Sequence, residues 1–140
     1  MSTSAPCKYC DKGDLLVGMS VFRSLPASEV LLVEDARFPG RCVVAARHHV
    51  RELFELTQTE RDAFMGDVNA VARAVAQVTG AAKINIGLYG DLSDHLHAHV
   101  VPKQRGGAQW GETFALQPQT PPAQDMQALT ELARRIDAAL

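Results

Sequence analysis

Three of the five histidines in this chain stand at every second position of one short segment, SDHLHAHVVPK, residues 93–103: His95, His97 and His99. Such a row has three readings. As a nucleophile, imidazole is largely uncharged at neutral pH and can attack phosphorus to give a phospho-histidine intermediate. Neighbouring rings would then bind phosphate oxygens or protonate the leaving group. As a ligand, imidazole takes zinc, copper, iron or nickel, and two of the three could chelate an ion. As a purely structural cluster, three rings on one face would leave ring nitrogens unpaired at a cost if buried, which counts against that reading. A second chemical signal is Cys7 and Cys10 in C-x2-C spacing. Redox pairs and zinc sites share it, as do two reduced thiols with no role. No thioredoxin-like βαβ unit surrounds the pair. A structural zinc needs four ligands, so imidazoles or carboxylates elsewhere in the chain would have to complete it.

The elements that must carry these groups follow from periodicity. Histidine and apolar residues alternate through Leu96, Ala98 and Val100, the period of a strand. The three imidazoles then share one face, with side chains two apart separated by roughly 6.5–7 Å, and Leu96, Ala98 and Val100 face a core. Pro102 is expected to end that strand or mark an edge. Upstream, residues 15–25 and 29–35 read as two strands joined by Pro26-Ala27-Ser28, and RFPGR as a turn. Residues 42–46, CVVAA, form a short apolar central strand in which Cys42 packs as a small hydrophobe. HHVRELFEL reads as one or two turns of helix. Thr57 and Glu60 make a capping-box pattern, opening a helix that runs to Gly80 with Phe64, Val68, Val71, Val75 and Val78 on one face. KINIGL, 83–88, is the strand before the histidine segment. A final helix is expected over about 122–140, with Thr120 and two prolines at its start. The order β-β-β-α-β-β-α with tight turns predicts an α+β fold on an antiparallel sheet.

Composition bounds the function classes. The 140 residues suit one domain, and 46% hydrophobic with 21% charged residues is ordinary for a globular chain. A formal net charge of −2 argues against a partner in duplex nucleic acid, which calls for a basic stripe. No apolar run reaches the length of a membrane span. The N-terminus shows no basic region followed by an apolar run, and three cysteines make an odd count for a disulfide framework. The expected location is therefore cytoplasmic.

HLHAHVV fits the pattern His-φ-His-φ-His-φ-φ, φ being apolar, and resembles the signature of the histidine-triad (HIT) family of nucleotidyl hydrolases and transferases. CKYC, GRCVVAARHHVRELFEL, KINIGLYGD and VPK…WGETF also resemble bacterial members with an N-terminal CxxC. The resemblance covers about residues 7–115, so the chain is expected to be a single HIT domain over 1–140 with a C-terminal extension and helix from 116. It implies a five-stranded antiparallel sheet with a long helix packed on it, commonly a homodimer pairing two sheets.

By position, the resemblance implies His97 as nucleophile on the α-phosphorus of a nucleotide and His99 as a ligand of the same phosphate. His95 would shape the site. Asn85 would contact the phosphate or leaving-group side. Asp35, with Glu34 next, would bind ribose hydroxyls, a task suited to a carboxylate. Many members carry Gly-Gln-Ser/Thr-Val before the triad. Here the loop is GDLSD, with Leu92 three before His95, Ser93 displaced by one, and Asp91 and Asp94 bringing negative charge. Arg41 replaces a family histidine and would serve as a phosphate fork. The resemblance also implies a Cys2His2 zinc site of Cys7, Cys10, His49 and His95, with His48 as the neighbouring alternative to His49. The function so implied is hydrolysis or transfer at the α-phosphate through a nucleotidyl-histidine. The substrate would be a purine nucleotide, dinucleoside polyphosphate, phosphoramidate or nucleotide sugar. The rival is a zinc-stabilised nucleotide-binding module with little turnover. Trp110 would either cover substrate or anchor the C-terminal loop.

Overall fold

A computed structural model describes residues 5–117 and 125–140. Five strands form one antiparallel sheet in the order β1-β2-β3-β5-β4, with β1 over Met19–Ser24, β2 over Ser28–Val33, β3 over Cys42–Ala46, β4 over Lys83–Leu88 and β5 over His97–Lys103. α1, Lys8–Asp11, precedes β1; α2, Gln58–Thr79, joins β3 to β4; α3, Met126–Ala139, follows β5. The α+β architecture is the expected one.

Period-2 alternation divides the sheet into two faces. Val30, Leu32, Cys42, Val44, Ala98 and Val100 meet α2 and α3 in the main core. Leu31, Val43 and Ala45 point the other way, under Tyr9 of α1, and share that face with His97 and His99. α2 begins where its capping box dictates. Glu60 N–H donates to Thr57 Oγ1 at 3.2 Å, and Thr57 N–H to the Glu60 carboxylate at 2.8 Å. It ends at Gly80, left-handed at φ 65°. Phe64, Val68, Val71 and Val75 bury its apolar face, each side chain stabilising the fold by about 1.5–3 kcal/mol relative to exposure. α3 is capped by Asp125 and docks Leu129 and Ile136 on the same core.

Several expected boundaries move. Leu15 lies in a 3-10 turn, Gly13–Leu15, because Gly13 and Gly18 adopt left-handed conformations that interrupt an extended chain. β2 stops at Val33, and the backbone turns through Asp35, whose carbonyl accepts from Phe38 N–H. HHVRELFEL supplies a single 3-10 turn, Leu53–Glu55, with Glu55 accepting from the N–H groups of Arg51 and Glu52. The first residues of the expected final helix, 122–124, and Thr120 lie outside the described residues; the described helix starts at Met126.

Two corrections bear on the site. β5 starts at His97, so His95 precedes the strand; its ring still lies beside Tyr9 but turns to Cys7, Cys10 and His49. Pro102 sits inside β5, opposite Ile84, and does not end it. The ladder explains why. Ala46 N–H donates to Leu96 O, so even-numbered residues of β5 direct their backbone groups at β3. Pro102 would face Gly40, where β3 has not begun, and its missing donor costs no bond. Gly40 is required there: at φ 96° an added Cβ would lie 2.6 Å from Thr79 Cγ2.

Candidate active site and metal centre

Strand register sets the imidazoles. His97 lies opposite Ala45 of β3, and His99 lies between Val43 of β3 and Gly87 of β4. Their ring centroids are 5.0 Å apart, edge to face. His97 Nδ1 is 2.6 Å from the His95 carbonyl. A carbonyl only accepts, so Nδ1 carries the proton and Nε2 keeps its lone pair. Burial lowers the His97 pKa, partly offset by that hydrogen bond, and the Lys8 ammonium lowers it further. The ring is therefore a neutral base with one defined nucleophilic atom.

His99 has the opposite tautomer. Its Nδ1 lies 3.0 Å from Arg41 Nη2, a group that only donates, so Nδ1 accepts and the proton sits on Nε2. Burial and the Arg41 charge push its pKa down to about 3. A neutral N–H donor thus stands beside a neutral ring with a free lone pair.

His95 turns to the N-terminal segment. Its Nε2 donates to Ala46 O at 2.7 Å, which leaves Nδ1 as the free lone pair. That atom is 3.4 Å from both Cys7 Sγ and Cys10 Sγ and 3.2 Å from His49 Nδ1, while Cys10 Sγ is 3.4 Å from His49 Nδ1. A tetrahedral ion with metal–sulfur bonds of about 2.3 Å and metal–nitrogen bonds of about 2.0–2.1 Å separates its ligands by about 3.3–3.6 Å along N–N and S–N edges. The four donors, all within 4.8 Å of one another, fit such an ion. Burial and the adjacent Cys7 thiol push the Cys10 thiol up to about 11, a cost that a bound cation would reverse. His48 is exposed and lies toward α2, away from this cluster.

His97 and His99 open on a cleft of about 720 Å³ whose walls include Lys8, Tyr9, Glu34, Asp35, Arg41 and Tyr89, a size suited to a small ligand. Ser93 lines it from the loop after β4, with Asp91 on the same rim. Asn85 lies on the histidine face of β4, opposite Val101, half-buried. Asp35 and Arg41 are both 2% exposed. The Asp35 carboxylate receives Arg37 and Arg41. Burial opposes its charge, but these hydrogen bonds outweigh burial and hold its pKa below the ordinary value. Trp110 does not line the cleft; Arg105 stacks over its ring at 5.2 Å in the loop after β5.

Sequence reasoning missed Tyr9, Lys8 and Arg37. Tyr9, 5% exposed, places its ring 4.9 Å from His97 and 5.5 Å from His95. Its signal was its place between two cysteines. If both bind a metal that also takes His95, the residue between them must lie over the histidine strand.

Among the described residues no helix is long and apolar enough to cross a membrane. A histidine triad protein from Bradyrhizobium japonicum superposes with a TM-score of 0.80 at 24% identity, over 87% of this chain and 90% of that one. One from Sinorhizobium meliloti gives 0.78 at 28% identity, over 88% and 90%. A Zn-bound histidine triad family protein from Mycobacterium smegmatis gives 0.61 at 20%, over 84% and 80%. An AP-4-A phosphorylase from Mycobacterium tuberculosis is 34% identical over 76 residues, 50% of this chain but only 39% of that relative's length. Residues 19–106 match the HIT domain family, well over half of the sequence, and the chain belongs to that family.

Proposed function

We propose that this protein is an enzyme that hydrolyses or transfers a nucleotidyl group through a covalent intermediate on His97. The observation that carries this is the 2.6 Å hydrogen bond from His97 Nδ1 to the His95 carbonyl, which leaves Nε2 as the only lone pair the ring can offer. Nε2 attacks the α-phosphorus, a nitrogen–phosphorus bond forms, and the bond from phosphorus to the leaving group breaks with its electron pair. The Nδ1–H stays on the ring, where the His95 carbonyl stabilises the growing positive charge. The Nε2–H of His99 donates to a non-bridging phosphate oxygen or to the departing group. Water, or another acceptor, then attacks the same phosphorus, and the His97 lone pair returns.

The resemblance of half the chain to an AP-4-A phosphorylase supports a purine nucleotide or dinucleoside polyphosphate as substrate. Ser93 and Asn85 are proposed contacts on the phosphate side. For the ribose, Glu34 lines the cleft beside Asp35 with no hydrogen-bond partner to its side chain among the described residues, whereas Asp35 is fully engaged. We assign zinc to Cys7, Cys10, His49 and His95, a structural role consistent with thiolate–imidazole donors and with the Zn-bound relative. A homodimer through β4 and α2 is supported by the edge position of β4 and by exposed Ile86, Leu88 and Met65. Three unbridged cysteines suit a cytoplasmic location.

One observation favours a second reading, a zinc-stabilised nucleotide-binding module with little turnover: Asp91 brings negative charge to the rim of the phosphate cleft. A single experiment separates the two. The protein is mixed with a substrate radiolabelled at the α-phosphate and quenched. Label should appear on the wild type and be absent from His97→Asn. No label on the wild type, with nucleotide still bound, would select the binding module.

A further inference from the structure

We propose that Asp35 and Arg41 are positioning residues, a buried relay that holds His99 in its Nε2–H tautomer with that proton directed at the substrate phosphate. Its functional part rests on the reading of His99 as a phosphate ligand; its structural part stands without it.

Three distances carry the relay. Arg41 Nη2 is 3.0 Å from His99 Nδ1, and Arg41 Nη1 is 2.8 Å from Asp35 Oδ2 and 3.1 Å from the Leu116 carbonyl. A guanidinium has five donors and no acceptor, and it stays charged at any pH the fold survives. The imidazole atom facing it must therefore accept. Only one tautomer satisfies that, and it places the proton on the atom at the other end of the ring. Flipping the ring or moving the proton would aim N–H or C–H at the guanidinium and leave both groups unsatisfied in a buried setting, a cost of about 1–3 kcal/mol or more.

Asp35 cannot easily do anything else. Its Oδ1 accepts from the Arg37 backbone N–H at 3.1 Å and from Arg37 Nε at 3.0 Å; its Oδ2 accepts from Arg37 Nη2 and Arg41 Nη1, both at 2.8 Å. Four donors fill the roughly four lone-pair sites of a carboxylate, and its side chain is 1% exposed. Ribose hydroxyls would have to displace an arginine. Arg41 is likewise committed at both terminal nitrogens, and its buried Nε has no partner among the described residues. So Asp35 orients Arg41 and Arg41 orients His99; both border the cleft, but their bonding atoms are already taken by one another, by Arg37, by His99 and by the Leu116 carbonyl. The carbonyls of Ala115 and Leu116, which accept from Arg37 and Arg41, tie the segment after β5 into the same chain.

Imidazole nitrogen–proton correlation spectra of the full-length, zinc-loaded protein between pH 5.5 and 8 test the relay directly. His99 should show an unprotonated Nδ1 and a protonated Nε2 throughout. An Nδ1–H tautomer, or a doubly protonated ring at pH 6, overturns it whether or not any variant folds. Asp35→Asn, checked for folding by the same spectra, should lower kcat by at least about tenfold, a part of the roughly 100-fold or more that a positioned proton donor supplies. The factor should be equal for a substrate with ribose and for its 2′,3′-dideoxy counterpart. A loss confined to the ribose-bearing substrate makes Asp35 a sugar ligand and overturns the relay. If the wild type itself turns nothing over, the enzymatic reading fails, and the spectra still decide the relay.

Discussion

The ring of Tyr9 lies 4.9 Å from the ring of His97, and Tyr9 stands between Cys7 and Cys10. The segment that would bind a metal is thus the one that covers His97. α1 has four residues and could not hold itself folded by its own hydrogen bonds. Its anchors are the Tyr9 side chain on Leu31, Val43 and Ala45 and the two thiols against His49 and His95.

Metal analysis of protein purified without chelator should therefore find about one zinc per chain. Cys7→Ser with Cys10→Ser should abolish it. Losing the ion should cost about 2 kcal/mol, a fall of about 6–8 °C in Tm for a chain of this size. Proteolysis should then reach the first turn before the sheet. Zinc retained by the double variant would remove the cysteines from the ligand set.

Tyr9 also carries a hydroxyl that is buried with no hydrogen-bond partner among the described residues. Such a group forfeits its water contacts for nothing in return, a penalty of about 1–3 kcal/mol. Tyr9→Phe keeps the ring on His97 and removes the orphan, so it should raise stability by about 1 kcal/mol in denaturant unfolding with an unchanged m value. A less stable variant would mean that the hydroxyl has a partner.

His97→Asn should keep the fold and nucleotide affinity within about tenfold, 1.4 kcal/mol, because the face it leaves is already lined by polar groups. Turnover should vanish, since the proposed attacking atom is His97 Nε2 and His99 beside it presents a proton rather than a lone pair. Steady-state assays beside titration calorimetry measure both quantities. Near-normal turnover would exclude His97 as nucleophile.

Much of this was legible in the sequence because it depends on local spacing. The capping box of Thr57 and Glu60, the helical period from Phe64 to Val75, and the alternation that puts His97 and His99 on one face each lie within a few residues. What was not legible depends on register across the sheet. That His95 precedes the strand follows from where β3 stops pairing, and that Pro102 is harmless follows from its falling opposite Gly40. Neither is written in residues 93–103. The partners of Asp35 show the same limit. Arg37 and Arg41 are near in sequence, but only the turn through Phe38 and Gly40 decides that both close on one carboxylate.

The link between β1–β2 and α2 yields a stability prediction remote from the site. Asp67 accepts from Ala27 N–H at 2.9 Å and from the hydroxyl of fully buried Ser28 at 2.8 Å. Asp67→Ala strands both donors and should cost about 2–3 kcal/mol, as expected for unpaired groups beside a lost charged acceptor. Asp67→Asn retains one acceptor and should cost less. Equal stability of the Ala variant and wild type in urea would mean that water replaces the carboxylate.

The same reasoning gives acid sensitivity a sign. His99 is held neutral by burial and by Arg41, its pKa pushed from 6.5 down to about 3. In the unfolded chain it titrates near its ordinary value, so between about 6.5 and 3 the unfolded state binds the additional proton. Stability must then fall as pH drops through that window, by up to about 1.4 kcal/mol per pH unit from this one ring. Above 6.5 the contribution is complete and flat. His99→Asn retains an acceptor for Arg41 but cannot titrate, so its stability should fall less steeply between pH 6 and 4 than that of the wild type. Denaturant midpoints measured at half-unit intervals in both proteins provide the comparison. Parallel slopes would show that His99 is protonated in the folded state over this range and that Arg41 does not face its lone pair.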